Sequence, residues 1–274
     1  MEAEMTNSQR KSKYMYKQKL NQNMNSNTPK LNVPLFIVIV FVLLFIWFAY
    51  QEYNKGEVKP APLDFLGTMY SAPTNHLIAG NAPPILKTED YPAAKVFEDN
   101  WEKIRDEFMA SEKLAKSIKG DMFFGKNLIE TDKWRKLYIK WYGGVLPGAR
   151  KHLPFTSKLV EQNPEVHLAM FSYMLPGTVV HPHTGISRAC VRGHLGLKIP
   201  NKDCQITIDG KKYDWEEGKM MIWDDTYVHS VENKSKEPRL ILFLDFKRKT
   251  DSKWKELLIS TNNQVAKLTN VNRK

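Results

Sequence analysis

HLAMFSYML at residues 167–175, CVRGHLGLKI at 190–199, CQITID at 204–209, KMMIWDD at 219–225 and RLILFLDF at 239–246 decide the fold. Each is a short run rich in apolar, β-branched or aromatic residues. The first three end on turn residues: Pro176-Gly177, Pro200-Asn201 and Gly210. Many short strands punctuated in this way predict a mainly β domain of the sandwich or jelly-roll type over about residues 166–248.

Alternation within the second run sorts its side chains. Val191, Leu195 and Leu197 fall on one face with Gly193, and Arg192 and His194 share the other with Gly196. In a barrel-like jelly roll one face looks into a pocket, and a cation beside an imidazole there suits a buried carboxylate. Further on, His229 is followed by the turn-forming SVENKSKEP and then Arg239. A hairpin centred on Lys234 sets residues 229 and 239 opposite one another, roughly 5 Å apart at Cβ.

Outward from this stretch the pattern becomes helical. From Tyr91 to about Lys116, Phe97, Trp101, Ile104 and Phe108 recur at helical spacing, so residues 91–165 read as a helical support lying on the β core. A weaker helical stretch begins near Lys253 in a basic tail, residues 249–274. Residues 52–90 read as a juxtamembrane linker, with Lys59-Pro60-Ala61-Pro62 its stiff part.

Between Lys30 and Glu52 no residue is charged, and Val33 to Tyr50 is an almost unbroken apolar run. Eighteen helical residues rise roughly 27 Å, close to the hydrocarbon thickness of a bilayer. A cleaved signal peptide fits poorly, because the run is too long and no A-x-A pattern follows Tyr50. The run therefore predicts one transmembrane signal-anchor over residues 33–51. Residues 1–32, rich in Asn, Gln, Ser and Lys, read as a disordered basic tail. With Arg10, Lys11, Lys13, Lys17, Lys19 and Lys30 before the run, the N-terminus is expected in the cytoplasm and the large C-terminal part in a lumen or outside (type II).

The chain has 274 residues, 42% of them hydrophobic, enough for one sizeable core beside a membrane segment. Its net charge of +11 sits at the ends: residues 1–33 contribute +4 and residues 247–274 contribute +6, leaving +1 between. A near-neutral middle is not the footprint of a nucleic-acid-binding domain. Basic ends suit anionic lipid headgroups instead. Cys190 and Cys204, the two cysteines, fit one disulfide in a lumenal protein or two buried thiols in a cytosolic one.

His183 lies in HPHTG, and Asp225 lies four residues before His229 in DDTYVH. Iron oxygenases usually pair two histidines with a carboxylate two residues after the first, and here that position is Gly185. Spacing alone therefore leaves the metal reading of His183 and His229 open, since any single histidine is more often a hydrogen-bonded structural residue.

The ordered set of motifs goes further. S-x-x-x-P-G-T-x-x-x-P-H-T-G from Ser172, R-x-H-L-G-L-x-I-P from Arg192, W-E-E-G-K from Trp215 and D-D-x-x-x-H from Asp224, ending in Arg239, resemble the aspartyl/asparaginyl β-hydroxylase family of the 2-oxoglutarate/Fe(II) dioxygenase superfamily. The resemblance covers about residues 166–248. It implies a double-stranded β-helix (jelly roll) with flanking helices and a site with two histidine ligands and no carboxylate ligand. On this likeness His183 and His229 would bind Fe(II), and Arg192 and His194 would hold the 1-carboxylate and keto end of 2-oxoglutarate. Arg239 with Ser172 would hold its 5-carboxylate, and Asp225 would orient an iron-bound water. Molecular oxygen is the remaining cosubstrate.

Upstream, WEKIRDEF at 101–108 and WRKLYIKWYG at 134–143, with the later LILFLDF, resemble membrane-bound lipid A acyl-chain hydroxylases of the same superfamily. HPHTG departs from that branch, which has a His-Arg-Asp run there. The substrate the likeness implies is thus a protein Asp or Asn residue, with a lipid acyl chain as the alternative and a catalytically silent membrane-bound binding module as the third reading.

Overall fold

The computed structural model describes residues 74–111, 133–185 and 187–268, together with residue 15 and residues 40, 42–44 and 46–47. The chain divides into residues 1–46, whose described positions are helical, and residues 47–274, which hold the fold described below. Among the described residues no helix is long and apolar enough to cross a membrane. The span expected at 33–51 lies largely outside them, as does nearly all of the expected tail at 1–32.

Among the described residues ten strands build two sheets. In chain order they are β1 (Ile85–Leu86), β2 (Trp134–Trp141), β3 (Val166–Met174), β4 (Thr178–His183), β5 (Cys190–Lys198), β6 (Cys204–Ile208), β7 (Lys211–Tyr213), β8 (Met220–Trp223), β9 (His229–Asn233) and β10 (Arg239–Lys247). One sheet has the order β1-β8-β5-β10-β3-β2 and the other β4-β9-β6-β7, with every neighbouring pair antiparallel. From β3 onward the chain passes from one sheet to the other at every connection except the β6–β7 hairpin, as the expected jelly roll requires.

Alternation sets the two faces of the larger sheet. Phe171, Tyr173, Leu195, Leu197, Leu240, Leu242, Leu244 and Phe246 pack outward against helices, in one cluster with Phe97, Ile104 and Phe108. Those last three belong to α1 (Pro92–Glu98) and α2 (Trp101–Ala110), which replace the one helix expected from Tyr91. Phe108 stacks on Phe171 at 4.6 Å between ring centroids. Truncating so buried an aromatic side chain to Ala costs about 3–5 kcal/mol. Two further helices, α3 (Pro147–His152) and α4 (Pro154–Gln162), extend this layer. Glu107 of α2 ties it together by accepting from the backbone N–H groups of Phe155 and Thr156 at 2.6 and 2.9 Å. The last helix, α5 (Lys253–Leu268), lies in the tail where a partly helical segment is expected.

Met170, Met174, Trp215, Trp223, Ile241 and Phe243 fill the space between the sheets. At the WEEGK turn Gly218 takes φ +75°, and a Cβ there would lie 2.8 Å from the Trp101 indole nitrogen, so only glycine closes that turn against α2.

Two expectations need correction. The 91–165 region is not purely helical: β2 joins the edge of the larger sheet, because Trp134, Lys136 and Tyr138 alternate with Leu137 and Ile139 at period two. Nor do His229 and Arg239 face each other across a hairpin. β9 pairs with β4 and β6, and β10 pairs with β3 and β5, so each already has both edges filled. The connection crosses between sheets instead. Buried Asn233 fixes it, its side-chain amide donating to the carbonyls of Met174 and Glu237 at 3.1 and 2.9 Å.

Candidate active site

His183 ends β4 and His229 begins β9, and the register makes them direct cross-strand partners. Their ring centroids lie 4.0 Å apart. Each Nδ1 meets a carbonyl two residues earlier: His181 O at 2.8 Å and Tyr227 O at 2.9 Å. A carbonyl only accepts, so Nδ1 carries the proton and Nε2 keeps its lone pair. Burial pushes the His183 pKa down to about 4, and burial followed by the neighbouring His183 pushes that of His229 well below its ordinary range. Two neutral imidazoles, each oriented by a hydrogen bond at Nδ1 and adjacent in space, are the donor set that divalent iron accepts.

No cluster of three or more His, Cys, Asp or Glu side chains suited to a metal occurs among the described residues. The reason is visible at Gly185, whose N–H donates to Asp225 O at 2.6 Å. Asp225 is buried and accepts from Arg192 Nη2 at 2.6 Å. Burial lifts its pKa to about 6 against the lowering effect of Arg192. Arg192 also donates from Nε to Asp245 at 2.7 Å, and Asp245 accepts from the Tyr142 hydroxyl at 3.0 Å. Burial opposes the Arg192 charge, but Asp225 and Asp245 outweigh it and hold the guanidinium firmly protonated. Among the described residues its Nη1 makes no hydrogen bond.

Arg239 and Ser172 stand together deeper between the sheets. Arg239 Nη2 donates to Ser172 Oγ at 2.9 Å, and Trp134 Nε1 donates to the same oxygen at 2.9 Å. A hydroxyl that accepts twice still has its own proton to give. Arg239 is 1% exposed, and among the described residues no carboxylate lies within ion-pair distance of it. Burial brings its pKa down to about 10, so it stays charged, and its Nε has no hydrogen-bond partner among the described residues. The guanidinium lies over the Trp215 ring at 4.8 Å. Trp215 donates in turn to His194 Nδ1 at 3.3 Å, which puts the His194 proton on Nε2. That buried nitrogen has no partner among the described residues either, and burial holds the ring neutral.

The site thus pairs two imidazole lone pairs with orphaned donors on Arg239 and His194. Buried polar groups are normally satisfied, so the orphans mark the place of an acceptor-rich ligand. A metal taken by the histidines and a dicarboxylate taken by Arg239, Ser172 and His194 both fit these residues.

Several residues of the site have no place in the sequence reading. Trp134, Lys136, Tyr142 and Trp223 all stand on inner faces or loops, and Asp245 pairs with Arg192 across β10 and β5. Period-two alternation in RLILFLDF carries a signal for Asp245, an acid that falls on the same face as Arg239, Ile241 and Phe243. Cys190 and Cys204 are both free and buried.

Topology and site define a double-stranded β-helix with a two-histidine centre. The model of the Aspartyl/Asparaginyl beta-hydroxylase family matches residues 98–249, more than half of the chain, and the chain belongs to that family. The human aspartyl/asparaginyl beta-hydroxylase is 36% identical over 156 residues, 55% of this chain and 20% of that protein. An ornithine lipid ester-linked acyl 2-hydroxylase from Rhizobium tropici is 31% identical over 169 residues, 60% of each chain. The alignments therefore span only a fifth of the human relative's length and three fifths of the bacterial one's. Among solved structures a prolyl-4-hydroxylase from Pseudomonas putida aligns at a TM-score of 0.37 and 17% identity over 56% of this chain and 88% of that one, a likeness too distant to bear on the assignment.

Proposed function

We propose that the chain is an Fe(II)- and 2-oxoglutarate-dependent dioxygenase that β-hydroxylates aspartyl or asparaginyl residues of proteins. The observation that carries this reading is the buried Arg239, a cation awaiting an anion, linked through Trp215 and His194 to the neighbourhood of the two metal-ready histidines.

In this reading Nε2 of His183 and of His229 would hold the iron. With 2-oxoglutarate and molecular oxygen bound, the metal supplies oxidative decarboxylation to succinate and transfer of one oxygen atom into a C–H bond. The chain's own part is placement. Arg239 and Ser172 receive the 5-carboxylate, and His194 Nε2–H with Arg192 Nη1 receives the 1-carboxylate and keto end. Asp225, anchored by Arg192, stands beside the metal position and orients water there. Donors already fixed in a buried site need no reorganisation when charge arrives.

The apolar run at 33–51 and the basic residues before it support a single-pass anchor with a cytoplasmic N-terminus and the catalytic domain in a lumen or outside. A second reading, hydroxylation of a lipid acyl chain, is favoured by the Rhizobium tropici relative, which matches over an equal share of both chains. Succinate release by the Fe(II)-loaded full chain tests both, with an Asp/Asn-rich disulfide-linked peptide in one arm and an acyl lipid in the other. Peptide-stimulated release supports the first reading, lipid-stimulated release the second, and release with neither overturns both.

A further inference from the structure

β2 is an edge strand, where a lysine ordinarily runs its stem along the surface and keeps its ammonium in water. Lys136 does the opposite. It is 1% exposed and shares the inner face of the sheet with Trp134 and Tyr138, while Leu137 and Ile139 face the helices. Its direct partner across β2 and β3 is Ser172, which sets the two Cβ atoms roughly 5 Å apart. Lys136 Nζ lies over the Trp134 ring at 3.8 Å from its centroid. That indole donates to Ser172 Oγ, the oxygen that also receives Arg239 Nη2.

Two buried cations on different strands thus converge on the neighbourhood of one hydroxyl, Arg239 by a hydrogen bond and Lys136 by its cross-strand register and its place over the Trp134 ring. A carboxylate offers about four lone-pair sites, enough to take the Ser172 proton, an edge of the Arg239 fork and an ammonium hydrogen together. An anion meeting both charges gains from each, and the gain is large because the site is dry.

We propose that Lys136 is a positioning residue for the distal carboxylate of 2-oxoglutarate, acting with Arg239 and Ser172 to select a dicarboxylic over a monocarboxylic 2-oxoacid. This rests on the cosubstrate reading above. Its contact is with the far carboxylate, since Lys136 is the register partner of Ser172, while its charge reaches His183 only as a minor contribution to the lowered pKa there.

The test compares binding of 2-oxoglutarate and 2-oxopentanoate, which lacks the second carboxylate, to the Mn(II)-loaded full chain by titration calorimetry. Lys136→Met, which keeps the stem and removes the charge, is expected to weaken 2-oxoglutarate roughly 10- to 100-fold and leave 2-oxopentanoate unchanged. Lys136→Arg, which keeps the cation, retains a preference for the diacid. Unchanged 2-oxoglutarate affinity in Lys136→Met, equal losses of both acids, or a lost preference in Lys136→Arg overturns the role. If the unsubstituted chain binds neither acid, the cosubstrate reading itself fails, and with it this inference.

Discussion

The Cβ that Gly185 lacks would lie 2.2 Å from the carboxylate carbon of Asp225. Two-histidine iron sites usually draw their third ligand from the position two residues after the first histidine. In this chain that position has no room for a side chain, because a carboxylate from the β8–β9 connection fills it. Arg192 holds that carboxylate in place, so the glycine, the aspartate and the arginine form one arrangement.

Gly185→Ala is therefore expected to displace Asp225 and loosen Arg192. Overpacking of this kind costs about 1–3 kcal/mol of stability. Losing an oriented neighbour of a metal site lowers metal affinity by roughly 10- to 100-fold. Gly185→Asp should not restore a three-ligand centre, because the new side chain starts inside the Asp225 carboxylate. Metal content after dialysis at graded Mn(II) concentrations checks both; tighter binding in Gly185→Asp would contradict the argument.

The metal-free protein should lose stability on mild acidification. Burial depresses His183 from 6.5 to about 4 and pushes His194 and His229 well below 6.5. Between those values the unfolded chain carries more protons than the folded one, so stability falls as pH falls through that window. Asp225 runs the other way: raised from 3.8 to about 6, it takes its proton first in the folded state and gains stability on acidification. The histidines outnumber it, so the net slope keeps their sign. Asp225→Asn removes the opposing slope, and denaturation midpoints of the metal-free variant should fall more steeply with pH than those of the parent. An equal or shallower dependence would sink the assignment of opposite signs.

Alternation over residues 191–197 sorts β5 correctly into an outer face of Val191, Leu195 and Leu197 and an inner face holding His194. It works there because a side-chain period of two is local, and burial on each face depends only on the strand itself. The partner of β9 is not local. SVENKSKEP looks like a hairpin, and only the filled edges of β10 and the Asn233 hydrogen bonds reveal a crossover between sheets. The His183/His229 pairing is equally non-local, since forty-six positions separate them in the sequence. Lys136 escapes notice for a different reason. A lysine near an edge reads as solvated until the strand order shows which face it occupies.

Arg239→Met is expected to separate folding from ligand binding. The guanidinium is buried with no carboxylate partner among the described residues, so replacing it with an apolar chain of similar length removes an uncompensated charge. Such exchanges are often neutral or stabilising. The metal-free melting temperature should therefore hold or rise, while the 2-oxoglutarate concentration for half-maximal turnover rises roughly 100-fold or more. Cosubstrate titration beside thermal melts reads the two effects separately. A melt that collapses together with binding would mean that Arg239 serves the core rather than the ligand.

Arg192→Met should do the reverse. Arg192 lies between two acids, donating to Asp225 from Nη2 and to Asp245 from Nε. Without it both carboxylates stay buried with no counter-charge, and breaking a buried pair in this way costs about 3–5 kcal/mol at neutral pH. The sign with pH follows from the same charges. In the variant Asp225 loses the lowering effect of Arg192 and its folded-state pKa rises further, so the folded chain binds an extra proton and the loss shrinks as pH falls from neutral. Adding Asp245→Asn should recover part of the loss at neutral pH by leaving one buried charge instead of two. Urea midpoints of the parent, single and double variants at two pH values settle it, and a loss that is independent of pH would show that the guanidinium acts through packing alone.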